Sequence, residues 1–385
     1  MLLSNPYRPD LRVQREAHSL SQMSYAVRII AWDRMAELAV QEDDHGIEIQ
    51  RIQHVRSVYY GGLRQVLVFP LFWNAAAQLT SKGSPDIVHC HDLDTLYAGV
   101  QIKFHTGCKL VYDAHEHYPA MLSLYLPGFF IRWLERLERQ LIRRVDLVLT
   151  ASSMLAERYR NQGIDPVVVL PNSPELDRYD NSESEQINRG REALGVNKGE
   201  LCVGYIGGFT RNRLVLPLIE AVKGLENVRL FIWGDGIQKP SIEQAVKQTP
   251  QAVYLGWLSP EKVPLFTSAM DVIYYALQPD YPGAEFNAPN ALGNAMAAGI
   301  PVIANRVGDL GNIIQKEQCG LLLDVVTPQA IREALLSLQN DPQRRKALGH
   351  AGRLAAECEY NWTHSARRLT EAYLALNPGH IQNKN

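Results

Sequence analysis

The run Tyr281-Pro-Gly-Ala-Glu285-Phe-Asn-Ala-Pro289-Asn290-Ala-Leu-Gly-Asn294-Ala-Met-Ala-Ala-Gly299-Ile-Pro301-Val-Ile-Ala304 holds a loop, a short helix and the start of a strand. A helix rich in small residues is expected from about Asn290 to Ala298. Gly299 fits the position just past its end, and Pro301 opens the next strand. Ala and Gly on such a helix allow close packing on a sheet. Its first turn also points backbone N–H groups at an anion, with Asn290 and Asn294 one turn apart on one face. A helix that feeds straight into a buried strand is half of a βα unit, and the same unit repeats on either side.

Short apolar runs alternate with amphipathic patterns along the whole chain. Strands are expected at Val27–Ala31, Ile87–His89, Leu110–Tyr112, Leu147–Thr150 and Val167–Leu170, with Met1-Leu2-Leu3 as the stub of a first strand. A second set is expected at Cys202–Ile206, Arg229–Trp233, Ala252–Leu255, Val272–Tyr275 and Pro301–Ala304. Parallel strands covered on both faces read as such runs, and alternating βα units imply doubly wound sheets. A polar stretch without strand character, 171–195, lies between the sets. The expected division is therefore a domain over 1–175, a linker over 176–198, a second domain over 199–358, and a closing helix and tail over 359–385. In such sheets ligands sit beyond the carboxyl ends of the strands, and two in tandem make a cleft.

The length of 385 residues suits two cores rather than one. A net charge of −2 gives no reason to expect nucleic acid. The five cysteines are far apart, which argues against a structural zinc site or a disulfide framework and fits a reducing cytoplasm. No run of about twenty apolar residues offers a membrane span. The start lacks the basic-then-apolar pattern of a signal peptide. These features predict a cytoplasmic protein.

Polar motifs follow the expected strands. Gly207-Gly208-Phe209-Thr210-Arg211-Asn212-Arg213 follows one and precedes a helix from Leu216 to Lys223. It reads either as a tight turn with two solvated arginines or as a backbone cradle for an anion, with Arg211 and Arg213 adding charge-assisted hydrogen bonds. The exit Trp233-Gly234-Asp235-Gly236 reads as turn chemistry. In the first half, His89-Cys90-His91-Asp92-Leu93-Asp94 and Asp113-Ala114-His115-Glu116-His117 end neighbouring strands. Their side chains read as cleft-floor groups or as singly bonded core histidines, with zinc the weakest reading. Residues Phe129–Arg144 form an amphipathic helix carrying Arg132, Arg136, Arg139, Arg143 and Arg144. It reads as a solvated face paired to Glu135 and Glu138, or as a helix that docks on anionic lipid.

Taken together, these residues resemble the retaining nucleotide-sugar glycosyltransferases of family 4. The resemblance covers nearly the whole chain: Ser4–Arg8 through Arg15-Glu16-Ala17, His89–Asp92, Asp113–Glu116, Gly207–Arg213, Pro289–Val302 and Tyr360-Asn361-Trp362. It implies the GT-B fold, α/β with two Rossmann-like doubly wound parallel-sheet domains facing across a cleft, and a closing helix that returns to the first domain. It also implies transfer of a sugar (a hexose) from a nucleotide-diphosphate sugar to a carbohydrate or lipid-linked acceptor hydroxyl, in cell-envelope or exopolysaccharide biosynthesis. No metal or cofactor is expected, and contact with the membrane would be peripheral.

His91 and Arg213 are the catalytic candidates: His91 matches the family's donor-sugar histidine, and Arg213 its diphosphate cation. Gly207, Gly208, Arg211, Gly234, Glu285, Pro289, Asn290 and Asn294 complete the expected donor side. Arg8, Arg12, Asp92, His115 and Glu116 form the expected acceptor side. The family's second phosphate arginine falls on Gly208, and its ribose-binding glutamate falls on Asn294. The glycine-rich loop that many relatives carry after the first strand is missing, with Arg8, Arg12 and Arg15 near its place. These departures keep two rivals in view: a GT-B nucleotide-binding protein of weak or no turnover, and a phosphorylase or epimerase on the same fold. A phosphorylase needs a lysine near the phosphate site, and neither Gly207–Arg213 nor Pro289–Gly299 contains one.

Overall fold

The computed structural model describes all residues except 9, 58–62, 124–125, 181–183 and 377–385. It consists of two compact units, one formed by 1–171 with the residues from Ser365 onward, the other by Asn172–His364. In the first unit the strands are β1 (Leu2–Leu3), β2 (Arg28–Trp32), β3 (Gln41–Asp44), β4 (Ile47–Ile52), β5 (Ile87–His91), β6 (Lys109–Ala114), β7 (Leu147–Thr150) and β8 (Val167–Val169). They form one sheet in the order β3-β4-β2-β1-β5-β6-β7-β8. All neighbours are parallel except β3 and β4, a hairpin closed by His45-Gly46.

The second unit holds β9 (Leu201–Ile206), β10 (Val228–Trp233), β11 (Ala252–Tyr254), β12 (Val272–Tyr274), β13 (Val302–Asn305) and β14 (Gly320–Leu323). These make a wholly parallel sheet in the order β11-β10-β9-β12-β13-β14. Strand order reverses between β9 and β12, which places the loops after those strands at the switch point where such sheets take ligands.

Every strand expected from the sequence forms, within two residues at each end. The helix expected at Asn290 runs Asn290–Ala297 and stops in a Schellman motif. Gly299, at φ +68°, donates to Met296 O at 3.0 Å, and Ile300 N donates to Ala295 O at 2.9 Å. The β3–β4 hairpin was not expected, because Gln41–Asp44 is wholly polar, and β14 was not expected either.

Residues 176–198, expected as a linker, instead carry helices Asp177–Asp180 and Ser184–Ala193 and belong to the second unit; 181–183 lie outside the described residues. Their polarity is that of one solvated helix face. Arg191 anchors the other to the sheet, through Asp271 at 2.6 Å and the Ala269 carbonyl at 3.1 Å. The closing helix runs Trp362–Leu376, and the expected tail beyond it lies outside the described residues. Its Leu369 and Tyr373 bury against Leu20, Val111, Leu147, Leu149 and Leu170, so the last helix completes the core of the first unit.

Leu369 is fully buried there. Leu369→Ala is expected to cost about 2–5 kcal/mol in urea unfolding; a loss below about 0.5 kcal/mol would show that the helix does not complete this core.

Candidate functional site

In the first unit, β5 and β6 run past their apolar residues into polar ones and stay buried to their ends. His89 and His91 end β5, and Asp113 lies near the end of β6. The register sets His91 beside Asp113. Helix Leu11–Gln22, capped by Asp10, brings Arg12 and Glu16 to the same place. Arg12 grips Asp113 with both arms of its fork, Nε to Oδ2 at 2.9 Å and Nη2 to Oδ1 at 2.8 Å. Its Nη1 donates to the Leu170 carbonyl at 2.9 Å, and Glu16 lies 3.1 Å from Nε.

Asp113 also meets His115, whose Nε2 is 2.9 Å from Oδ2, and His91, whose Nδ1 is 3.4 Å away. His91 Nδ1 and His115 Nε2 are 3.2 Å apart. His89 stacks on His91 at 4.3 Å and places Nδ1 2.7 Å from Tyr373 Oη.

The charges sort themselves by environment. Burial would raise Asp113, but Arg12 and His115 outweigh it and hold the carboxyl well below its usual range. Burial lowers His91 to about 4, so it is neutral near pH 7. Burial would lower His115 too, but Asp92 and Asp113 overcome it and raise the imidazole to about 10. Burial, opposed by His115 and reinforced by Asp94, Asp113 and Glu116, lifts Asp92 to about 7. Burial drives Glu16 well above its normal value, with Asp113 adding to the shift.

The carboxylate and imidazole atoms of Glu16, His89, His91 and Asp113 come within 4.8 Å of one another, close enough in principle for a metal. Arg12 already bridges two of those four groups, Glu16 and Asp113, with a permanent charge, and Asp113 Oδ2 already accepts two bonds at 2.9 Å. A divalent ion would have to displace a guanidinium, so the donor set does not fit one.

Backbone geometry marks the same spot. Asp92 has φ +62° and ψ 165°, a region occupied almost only by glycine and costing of order 1–3 kcal/mol. The conformation lets Asp92 accept from His115 N at 3.2 Å while its own N–H donates to Asp113 O at 2.9 Å.

Of the expected acceptor-side residues, Arg12, Asp92 and His115 come together with His91. Arg8 does not: it pairs with Glu42 at 3.0 Å and Asp44 at 3.1 Å on β3. Glu116 is exposed beside the cluster. Glu16, His89 and Tyr373 belong to the network but were not among the expected site residues. Glu16 follows Arg12 by one helical turn, a spacing that could have found it.

In the second unit, the loops after β9 and β10 interlock. Gly207 N donates to Trp233 O at 3.1 Å, and Phe209 N to Asp235 O at 2.8 Å. A Cβ on Gly234 would stand 2.0 Å from Gly207 O, so this glycine is required by the approach of two backbones.

The loop after β9 then pairs with the exit of β12 through an isolated bridge, Arg213 with Leu277. The Arg213 guanidinium lies over the Tyr275 ring at 4.7 Å. Its Nη1 is buried and has no hydrogen-bond partner among the described residues. Arg211 is exposed.

Helix Asn290–Ala297 begins at Pro289 with no side-chain cap, and Asn290 is exposed at its first turn. Asn172 holds the preceding loop by donating to Ala288 O at 2.8 Å. Asn294 accepts from Tyr179 Oη at 2.9 Å, a partner not expected from its position in the chain. Glu285 is half-buried in the loop, with its backbone against Gly308. Asn287, not among the expected residues, buries an Oδ1 that has no hydrogen-bond partner among the described residues.

The sequence matches the profile of Glycosyltransferase Family 4 over residues 12–178 and that of Glycosyl transferases group 1 over residues 200–341. A D-inositol 3-phosphate glycosyltransferase of Corynebacterium urealyticum is 25% identical over 62% of this chain and 59% of its own length. A sulfoquinovosyl transferase of Arabidopsis thaliana is 25% identical over 77% of this chain and 58% of its own. The match thus spans less than two thirds of either relative. Among solved structures, sucrose-phosphate synthase from Thermosynechococcus elongatus matches with a TM-score of 0.83 at 18% identity over 98% of both chains. The Anabaena protein HepE, solved in complex with UDP-glucose, matches with a TM-score of 0.74 at 17% identity over 97% of this chain and 98% of its own. At such identities the likeness is one of fold.

His115, raised from an ordinary 6.5 to about 10, contributes stability that is complete below about pH 6.5 and is lost as pH rises through 10. Urea unfolding across pH 6.5–10 is expected to show that decline, with the decline absent in His115→Gln. The same slope in both proteins would refute the assignment.

Proposed function

We propose that this chain, which belongs to glycosyltransferase family 4 and has the GT-B fold, moves a sugar with retention from a nucleotide-diphosphate sugar to an acceptor hydroxyl. The observation that carries the reading is Arg213, a half-buried guanidinium with a buried N–H and, among the described residues, no carboxylate to neutralise it. A guanidinium with one N–H taken out of water and no partner for it bears the cost of the lost hydrogen bond. A donor diphosphate would supply the acceptor and the counter-charge, and its own charge grows as it departs. Arg213 and the uncapped start of helix Asn290–Ala297 would stabilise the leaving group without a metal. The donor side is then read on the second unit, with Gly207, Gly208, Arg211, Gly234, Glu285, Pro289, Asn290 and Asn294. The acceptor side is read on the first, where His91 would contact the donor sugar. No cofactor is required. The alternative, a GT-B nucleotide-binding protein without turnover, has less support, since the relatives named above are transferases.

Helix Gly128–Ile142 supports a peripheral contact with an anionic membrane and a lipid-linked acceptor, as in cell-envelope or exopolysaccharide synthesis. The pairing expected from the sequence does not occur: Glu138 is buried and accepts from Tyr159 at 2.9 Å. Arg132, Arg136, Arg139, Arg143 and Arg144 are all exposed, and among the described residues none pairs with a carboxylate. Phe129 and Trp133 stand 67% and 47% exposed on the same helix, an apolar component for the interface.

Donor hydrolysis or transfer assayed with UDP-, GDP-, ADP- and TDP-sugars should fall on the order of 10²-fold in Arg213→Ala and be unchanged by EDTA. Undiminished turnover in the variant would remove Arg213 from the reaction, and loss with EDTA would overturn the metal-free scheme. Co-sedimentation with phosphatidylglycerol vesicles should weaken on the order of 10³-fold in Arg136→Glu/Arg143→Glu, a change of four charges at about 1 kcal/mol per charge near the surface. Equal binding by the variant, or none by the native chain, would reject the membrane contact.

A further inference from the structure

The His115 ring is held between two carboxylates. Nε2 lies 2.9 Å from Asp113 Oδ2, and Nδ1 lies 3.5 Å from Asp92 Oδ2. Asp113, held ionised by the Arg12 fork, only accepts, so Nε2 carries a proton, and the second proton of the charged ring lies on Nδ1 towards Asp92. The same Nε2 is 3.2 Å from His91 Nδ1. A nitrogen that faces an N–H is the acceptor, which leaves the single proton of neutral His91 on its Nε2.

The competing tautomer is worse on three counts. It would aim a proton from His91 Nδ1 at Asp113 Oδ2 across 3.4 Å, a longer contact. That oxygen already accepts from Arg12 Nε and His115 Nε2, each at 2.9 Å. It would also set two N–H groups against each other at 3.2 Å. His91 Nε2 is itself buried, with no hydrogen-bond partner among the described residues.

We propose that His115 is a positioning residue of the transfer reaction: clamped between Asp92 and Asp113, it shares its Nε2–H between Asp113 Oδ2 and His91 Nδ1 as a three-centre bond and fixes the His91 ring as the Nε2–H tautomer, a hydrogen-bond donor for a sugar oxygen. The inference rests on the reading that His91 contacts the donor sugar. Arg12 serves it by holding Asp113 in place. The unusual backbone of Asp92 serves it by turning a carboxylate onto both the His115 backbone N–H and its ring. His89, stacked on the other face at 4.3 Å, leaves the His91 ring little room to rotate.

Ring nitrogen-15 NMR of the full chain tests the tautomer without reference to activity. His91 is expected to show a bare Nδ1 and a protonated Nε2, and His115 two protonated nitrogens at pH 7. In His115→Phe the His91 pattern should change and kcat fall on the order of 10²-fold with the donor KM little moved. His115→Gln, which keeps an N–H donor, should recover part of the rate.

The charged and titratable groups facing His115 are Asp92, Asp113, Arg12, His91, Glu16 and Asp94. Removing one carboxylate in Asp92→Asn should therefore move the alkaline limb of kcat to lower pH. This variant keeps the ring and serves where His115→Phe does not fold.

A protonated Nδ1 on His91 in the native chain overturns the proposal. So does an unmoved His91 signal in folded His115→Phe, or an unmoved alkaline limb in Asp92→Asn. Full turnover in His91→Ala would instead remove the reading on which the proposal rests, and NMR separates that failure from a wrong tautomer.

Discussion

The bidentate contact between Arg12 and Asp113 holds the first unit's polar centre together. Both side chains are almost wholly buried, at 10% and 0% exposure. Burying either charge alone would cost more than a small domain has to spare, and removing one partner of such a pair typically costs about 3–5 kcal/mol. The fork also reaches the Leu170 carbonyl, so one guanidinium ties the first helix, β6 and the chain just beyond β8. Asp113 in turn fixes His115, and His115 and Asp113 together fix His91. Placement of the histidines therefore follows from a charge that cannot leave.

The second unit treats its arginine in the opposite way. Arg213 meets an aromatic face and a strand exit, but no carboxylate among the described residues. A cation over a ring gains about 0.5–2 kcal/mol, which does not replace a counter-ion. Arg12 is neutralised from within and behaves as structure, whereas Arg213 has no carboxylate among the described residues, which is why it is proposed to meet a donor phosphate. The interlocked turns at Gly207 and Gly234 keep the backbone beside it fixed, because no side chain fits between them. Two arginines on similar sheets thus have different roles, decided by whether an acid lies within reach.

Most of the architecture was legible because parallel strands buried on both faces leave an apolar trace that few other elements mimic. Ile87–His91 shows where this trace ends. The apolar run stops at Val88, yet the strand continues through two buried histidines that stack on each other, His89 reaching Tyr373 and His91 reaching His115 and Asp113. Periodicity carries no information about such long-range partners, so Glu16 and Tyr373 could not be joined to His89 from sequence. The 176–198 stretch was misread for a related reason. A short helix with one solvated face has the composition of a linker, and Arg191 reaching Asp271 is visible only in three dimensions. Of the two readings of the arginine helix, the pairing to Glu138 fails because Glu138, a turn from Arg residues, turns inward to Tyr159.

Asn294 shows how one substitution redirects a hydrogen bond. Tyr179 is 4% exposed, and its hydroxyl donates to Asn294 Oδ1 at 2.9 Å. That bond occupies the acceptor end of the amide and leaves the NH₂ as its other face. A carboxylate at the same position could accept from the tyrosine and still accept from a ligand hydroxyl. With asparagine the direction is reversed, so a ligand oxygen meeting this face must accept. A ribose hydroxyl can do either, so a donor could still be recognised here through a neutral bond. Neutral bonds contribute about 0.5–1.5 kcal/mol against about 1.5–3 for charged ones. The difference, about 1 kcal/mol, is under tenfold in affinity. In the proposed reading it would shift the weight of holding a nucleotide donor from the ribose towards the phosphates, on the side of Arg213.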